Sequence, residues 1–270
     1  MLYKKEKIIL DKINKGVNIK MQNNLNKSII SKYTFENFVV VKNNEFAFNV
    51  AEDIAENKTN YNLLFIYGGN GVGKTHLCCA ILNKILENNK NLNVLYNTAD
   101  QFTVELINAI KENTMKQFRE KYRSVDALAI DNIQYIAGKE RIQEEFFNTF
   151  HDLYFKNKKI ILSSDKAPKD INLLENRIEA RINWGIVAKI SDYNFEERLE
   201  ILKNKAKMKN LEINEETLSM IAKLVNSNIM ELEGVLNTVI EYSKIFNKSI
   251  DKKMVQEVLE DRGIKKKRGI

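Results

Sequence analysis

From Leu63 onward, short and uniformly apolar runs alternate with longer segments in which apolar positions recur every three or four residues. The runs at 63–67, 94–97, 127–130, 160–163 and 186–189 have strand length and lack polar alternation, which predicts strands buried on both faces. The periodic segments predict helices near 74–88, 100–111, 115–122, 141–156 and 171–181. Strand and helix in alternation imply an α/β fold, a five-stranded parallel sheet flanked by helices. After Ser191 no strand-like run remains, and helices are predicted near 195–209, 215–225, 228–246 and 252–261. These make a small all-helical second domain. The one proline is Pro168, and no Gly/Ser-rich linker or repeat intervenes, so the two domains are expected to be closely coupled.

Length and charge refine this outline. A chain of 270 residues that is 44% hydrophobic can bury two compact cores. No run of eighteen apolar residues and no secretory leader is apparent, so no transmembrane segment is expected and the location is expected to be cytoplasmic. Cys78 and Cys79 are adjacent on a predicted helix, which suits neither a disulfide nor a metal site; reduced, buried thiols are expected. The net charge of +7 is concentrated at the ends. Residues 1–32 hold eight lysines against Glu6 and Asp11, and Lys265, Lys266, Lys267 and Arg268 add four more positive charges, leaving the interior slightly acidic. The expected organisation is therefore a basic arm at 1–32, with Ile9, Ile13 and Val17 at helical spacing, an α/β domain at 33–190, a helical domain at 191–262 and a basic tail at 263–270. Such tails either touch nucleic acid or acidic lipid or are simply solvated.

Chemistry enters at Gly68-Gly69-Asn70-Gly71-Val72-Gly73-Lys74-Thr75, which fits G-x-x-x-x-G-K-[ST] between a buried strand and an apolar-periodic helix. Glycines let the backbone curl so that several N–H groups converge on phosphates, and the following helix N-terminus adds its positive dipole end. Lys74 is placed to reach the β- and γ-phosphates of a nucleoside triphosphate, and the Thr75 hydroxyl to ligate magnesium. A neighbouring strand should then end in a carboxylate, and Asp131 supplies it. The next residue is Asn132, where an ATPase of this kind places a second acid to activate water. An amide can orient water but cannot take its proton, so hydrolysis is expected to be slow.

Several segments together resemble the AAA+ ATPase domain of the DnaA family of bacterial replication initiators. They include Tyr33-Thr34-Phe35-Glu36-Asn37-Phe38, the phosphate loop through His76-Leu77, Phe118-Arg119-Glu120-Lys121-Tyr122-Arg123, Asp131-Asn132-Ile133-Gln134, Ser163-Ser164-Asp165 and Ser227-Asn228-Ile229 before Glu231-Leu232-Glu233-Gly234. The resemblance runs from Tyr33 to about Asp261 and implies an AAA+ P-loop NTPase with a helical lid. It implies ATP or ADP with magnesium as cofactors, held by residues 68–76 with Thr75 and Asp131 on the metal. Asp165 falls where the family's polar sensor faces the γ-phosphate, and otherwise reads as a helix cap. Arg177 and Arg181 match two subunit-interface arginines, Arg181 resembling the finger that reaches a neighbour's ATP; they equally fit ion pairs with Glu175 or Glu179. Ile107, Lys139 and Arg141 fall where the family contacts single-stranded DNA, though a generic exposed turn would look the same.

The departures from the family pattern are as informative. Met230 stands where the lid normally presents an arginine to the nucleotide, and Val41 replaces a glycine in the segment resembling the adenine-contacting strand. Were the chain complete, it would have room for neither an N-terminal interaction domain nor a C-terminal reader of origin boxes, and no duplex origin recognition would be expected. The leading expectation is a protein that binds ATP, turns it over slowly or not at all, and acts in replication initiation or its control by nucleotide-dependent head-to-tail self-assembly. One alternative is a regulator that docks on a full-length DnaA and alters its nucleotide state. A third is an ATPase resembling helicase loaders.

Overall fold

The computed structural model describes residues 32–264; the arm at 1–31 and the tail at 265–270, on which the nucleic-acid and lipid contacts of the basic ends were expected, lie outside them. The five apolar runs form one parallel sheet: β1 (Leu63–Tyr67), β2 (Val94–Thr98), β3 (Ala127–Asp131), β4 (Lys159–Ser164) and β5 (Ile186–Lys189), in spatial order β2-β3-β4-β1-β5. Uniform apolarity follows from burial on both faces. In β1, Leu63 and Phe65 enter one core with Phe102, Tyr122, Phe146 and Phe150. Leu64 and Ile66 point to the opposite core, with Ala47, Ile54, Leu77 and Ile81.

The helices of the second core are α1 (Glu45–Ala55) and α2 (Lys74–Asn88). Those of the first are α3 (Ala99–Lys111), α4 (Met115–Arg123), α5 (Glu140–Phe155) and α6 (Asn176–Ile182). Small residues in β3, Ala127 and Ala129, lie on the α2 side and share its core. A short 3-10 turn at Ile133–Ile136 packs on α3 and leads into α5. The order of strands puts β1 between β4 and β5, so the loop after β1 opens beside the ends of β4 and β3.

Helix α6 begins later than the 171–181 expected from periodicity. Residues 171–175 instead form a turn with Leu173 at φ 63°. Tertiary partners replace the helical hydrogen bonds there: the Leu173 carbonyl accepts from Gly138 N at 3.0 Å and from Gln143 Nε2 at 3.1 Å, and Glu175 N donates to Gln143 Oε1 at 2.8 Å. Helix α1, in contrast, was not anticipated; its buried face is largely alanine, at 47, 51 and 55 beside Ile54.

Beyond β5, helices α7 (Phe195–Met208), α8 (Glu215–Leu224), α9 (Ile229–Phe246) and α10 (Lys252–Asp261) enclose a separate apolar core of Leu202, Leu218, Ile221, Leu232, Val235, Val239 and Val255. Asn194 begins α7 with a capping box: its side chain accepts from Glu197 N while Glu197 accepts from Asn194 N. Glu197 also accepts from both the backbone and side-chain nitrogens of Asn43, tying the lid to the segment before α1. No helix among the described residues is long and apolar enough to cross a membrane.

Candidate nucleotide site

The phosphate loop leaves β1 at Gly68, whose φ is 157° and where an added Cβ would lie 2.1 Å from the Ile190 carbonyl oxygen. Only glycine allows that approach. The loop closes at Gly73, in the left-handed region at φ 111°, and α2 starts at Lys74. Lys74 is 6% exposed, and its ammonium donates to the carbonyls of Gly68 at 2.8 Å and Gly69 at 2.7 Å. Burial pulls its pKa below the ordinary lysine value, opposed by the carboxylates of Asp131 and Asp165.

Asp131 ends β3, 2% exposed, with its register partner Thr98 on β2. Three hydroxyls hold it. Thr75 Oγ1 donates to Oδ2 at 2.5 Å, Tyr96 OH donates to Oδ2 at 3.0 Å, and Ser163 Oγ donates to Oδ1. Ser163 Oγ in turn accepts from the Asn132 amide at 3.1 Å. Asn132 sits at φ 59°, a conformation asparagine tolerates better than most residues. No cluster of three or more metal-ligating side chains exists among the described residues. A threonine hydroxyl and one carboxylate within 2.5 Å of each other nonetheless suit magnesium, which takes one or two protein oxygens and completes its shell with water and phosphate.

Asp165 follows β4 directly. It lines a cleft of about 460 Å³ with Gly68, Gly69, Lys166, Lys189 and Asp192, and its Oδ1 is buried without a hydrogen-bond partner. The capping alternative is not realised, since the next 3-10 turn, Pro168–Asp170, has Ala167 at its N-cap position and no side-chain cap. A carboxylate at the cleft wall beside the loop is suited to meeting a water or a phosphate-linked group.

The lid reaches the loop at two places. Tyr193 OH donates to the Val72 carbonyl at 2.7 Å, and Asn228, which caps α9, lies so close that a Cβ on Gly71 (φ 73°) would meet its Oδ1 at 2.8 Å. Met230, two residues on, is 72% exposed. His76 bonds through Nε2 to the Thr34 carbonyl at 2.8 Å, and its ring lies 4.9 Å from both Tyr33 and Phe38. Burial lowers its pKa to about 4, so the ring is neutral and Nε2 carries the donated proton. Its side chain thus anchors the segment before α1. Val41 has no left-handed backbone and packs with Val39 against Ile201 of the lid, so valine fits there without strain.

The remaining expected residues lie apart from the loop. Arg177 pairs with Glu175, the ion-pair alternative, and also lies 4.6 Å over Phe147. Arg181 stacks 3.7 Å over Trp184. Ile107 on α3, with Lys139 and Arg141 at the start of α5, are all exposed, joined by the 3-10 turn that packs on α3. Tyr96, Ser163, Tyr193 and Trp184 were not anticipated as site residues. A polar-tipped aromatic inside the strand adjoining Asp131 was the available signal for Tyr96.

The sequence model described as the bacterial DnaA ATPase domain matches residues 29–189. The chain belongs to the DnaA ATPase family. Domain III of the Thermotoga maritima replication initiation protein DnaA is 38% identical over 87% of this chain and 98% of that one, with a TM-score of 0.81. A DnaA bound to AMPPCP and single-stranded DNA is 36% identical over 80% of this chain and 68% of that one, with a TM-score of 0.72. The AMPPCP-bound DnaA from Aquifex aeolicus is 37% identical over 77% of this chain, which spans 65% of it, also at 0.72. Thermotoga maritima RuvB, 18% identical at a TM-score of 0.63, shares the fold. This DnaA-family domain is therefore an AAA+ P-loop ATPase domain by fold and family, and nucleotide binding is supported by its AMPPCP-bound relatives.

Proposed function

We propose that the chain holds ATP with magnesium at residues 68–75 and Asp131, turns it over slowly, and uses the bound triphosphate to assemble head to tail in replication initiation or its control. The observation that carries this reading is the Lys74–Thr75–Asp131 constellation, a binding half complete in every group, beside Asn132 and an exposed Met230. Magnesium held by Thr75 and Asp131 would neutralise negative charge on the phosphates. Lys74 would exchange the Gly68 and Gly69 carbonyls for phosphate oxygens, and Asp165 would face the terminal phosphate across the cleft. Residues 33–190 would act as the nucleotide-binding unit and 191–262 as its lid, which already touches Gly71 and Val72. Arg181 would reach a neighbouring subunit's ATP, with Arg177 at the same junction.

Ile107, Lys139 and Arg141 would contact single-stranded DNA, the cations on phosphates and the isoleucine against sugars. Their common exposure on adjoining elements supports this, as does the single-stranded DNA bound by a relative.

Sedimentation with ATP, ADP or no nucleotide tests the assembly. The expected result is a concentration-dependent oligomer with ATP and magnesium alone, abolished by Arg181→Ala. An unchanged monomer with ATP, together with a complex formed on adding full-length DnaA, would overturn self-assembly in favour of a regulatory role.

A further inference from the structure

Arg181 is held differently from its neighbour. The Arg177 guanidinium spends its Nε on Glu175. The central guanidinium carbon of Arg181 lies 3.7 Å from the centre of the Trp184 ring and 5.7 Å from that of Phe147, and the Arg181 Nε is buried with no hydrogen-bond partner among the described residues. Stacking on an aromatic face restrains a long, rotamer-rich side chain while leaving the in-plane N–H donors and the whole charge uncommitted. An ion pair would restrain it by neutralising it.

The indole is itself firmly placed. Helix α6 ends at Ile182, and the chain turns so that Trp184 N donates to the Arg181 carbonyl at 3.0 Å, folding the ring back under the guanidinium three residues earlier. The next residue, Gly185, runs so close to β1 that a Cβ there would lie 2.5 Å from the Leu63 carbonyl oxygen. From the other side, Tyr154 and Phe155 on α5 pack against the indole at 5.2 and 6.4 Å, the latter edge-on at 90°. Trp184 is still 40% exposed, so this aromatic bracket sits at the surface where Arg181 would have to act.

We infer that Trp184 is the positioning residue for Arg181: its indole presents the guanidinium, uncommitted and pre-oriented, to the phosphates bound by a neighbouring subunit. This rests on the proposed role of Arg181 in assembly. Pre-orientation lowers the ordering cost of association, so losing it should weaken assembly without touching nucleotide binding within the subunit.

Trp184 is the one tryptophan of the chain, so indole emission reads it alone. With the full chain, the nucleotide-free emission of wild type and Arg181→Ala is compared, and ATP-dependent assembly is measured by sedimentation for wild type, Trp184→Leu and Trp184→Phe. Binding of a fluorescent ATP analogue at concentrations below assembly reports on folding. The expected results are a change of emission in Arg181→Ala, an assembly midpoint raised about tenfold in Trp184→Leu, recovery to within about threefold of wild type in Trp184→Phe, and unchanged analogue binding throughout. Identical emission with and without Arg181, wild-type assembly by Trp184→Leu, or a phenylalanine variant as weak as the leucine one would overturn the inference while leaving the proposed function intact. Wild-type assembly by Arg181→Ala would instead overturn the parent reading, and the inference with it.

Discussion

Asp131 shows what a single residue contributes and what its successor withholds. Three hydroxyl donors orient its carboxylate, so its oxygens are in place for the proposed magnesium before any ligand arrives. Asn132 then stands where the proposed reading misses a water-activating acid, with a side chain that cannot accept a proton, and Met230 is exposed to solvent where the family resemblance implies an arginine. Asp tolerates the left-handed backbone at 132 about as well as Asn does, so restoring it should not disturb the turn. The double variant Asn132→Asp with Met230→Arg is expected to raise ATP turnover at least about tenfold in a phosphate-release assay. Turnover equal to wild type would refute this account of slow hydrolysis. Positions 74, 75, 131 and 132 were legible in the sequence because motif spacing carries them, and 230 only through the family resemblance. The Tyr96 and Ser163 contacts were not, because they join separate strands and only the packing of β2, β3 and β4 brings the partners together.

Among elements, the segment ahead of α1 is docked on α2 through His76, whose ring packs tilted against Tyr33 and edge-on against Phe38 and is bonded to the Thr34 carbonyl. Its folded pKa of about 4 lies below the ordinary 6.5, chiefly through burial, with Lys205 lowering it and Glu233 raising it slightly. A base held neutral in the fold but free to charge when unfolded contributes stability that is present above pH 6.5 and is lost as pH falls towards 4. Urea unfolding at pH 7.5 and 5 should therefore show wild type losing of order 2 kcal/mol more than His76→Gln. Equal losses would show that the ring is not desolvated as described. At this scale all five strands were readable, because burial on both faces leaves an unbroken apolar run. Helix α1 escaped because alanines give a weak periodic signal, and the start of α6 was misplaced because Gln143 and Gly138 capture the backbone of 171–175 from a distance.

For the whole molecule, the parts proposed to grip a nucleotide come from the sheet and the lid together: the loop after β1, the ends of β3 and β4, and lid contacts at Gly71 and Val72. Ligand binding to the folded state alone must raise its stability, by about 2.7 kcal/mol at a hundredfold excess over Kd. Mg-ATP is expected to raise the melting temperature of wild type and leave Lys74→Ala where it was; a variant stabilised as strongly as wild type would show that the nucleotide binds elsewhere. By itself the sequence determined the fold class, the phosphate loop and the family, because each rests on residues close in the chain or on the periodicity of burial. Only the tertiary structure decided which alternative each isolated charge follows. It paired Arg177 with Glu175 and laid Arg181 on Trp184, and it left Asp165 uncapped and facing the cleft. The physical reason is that a charged side chain reads the same in sequence whether it meets a carboxylate, a ring or a cavity, and that choice is made by the elements packed around it.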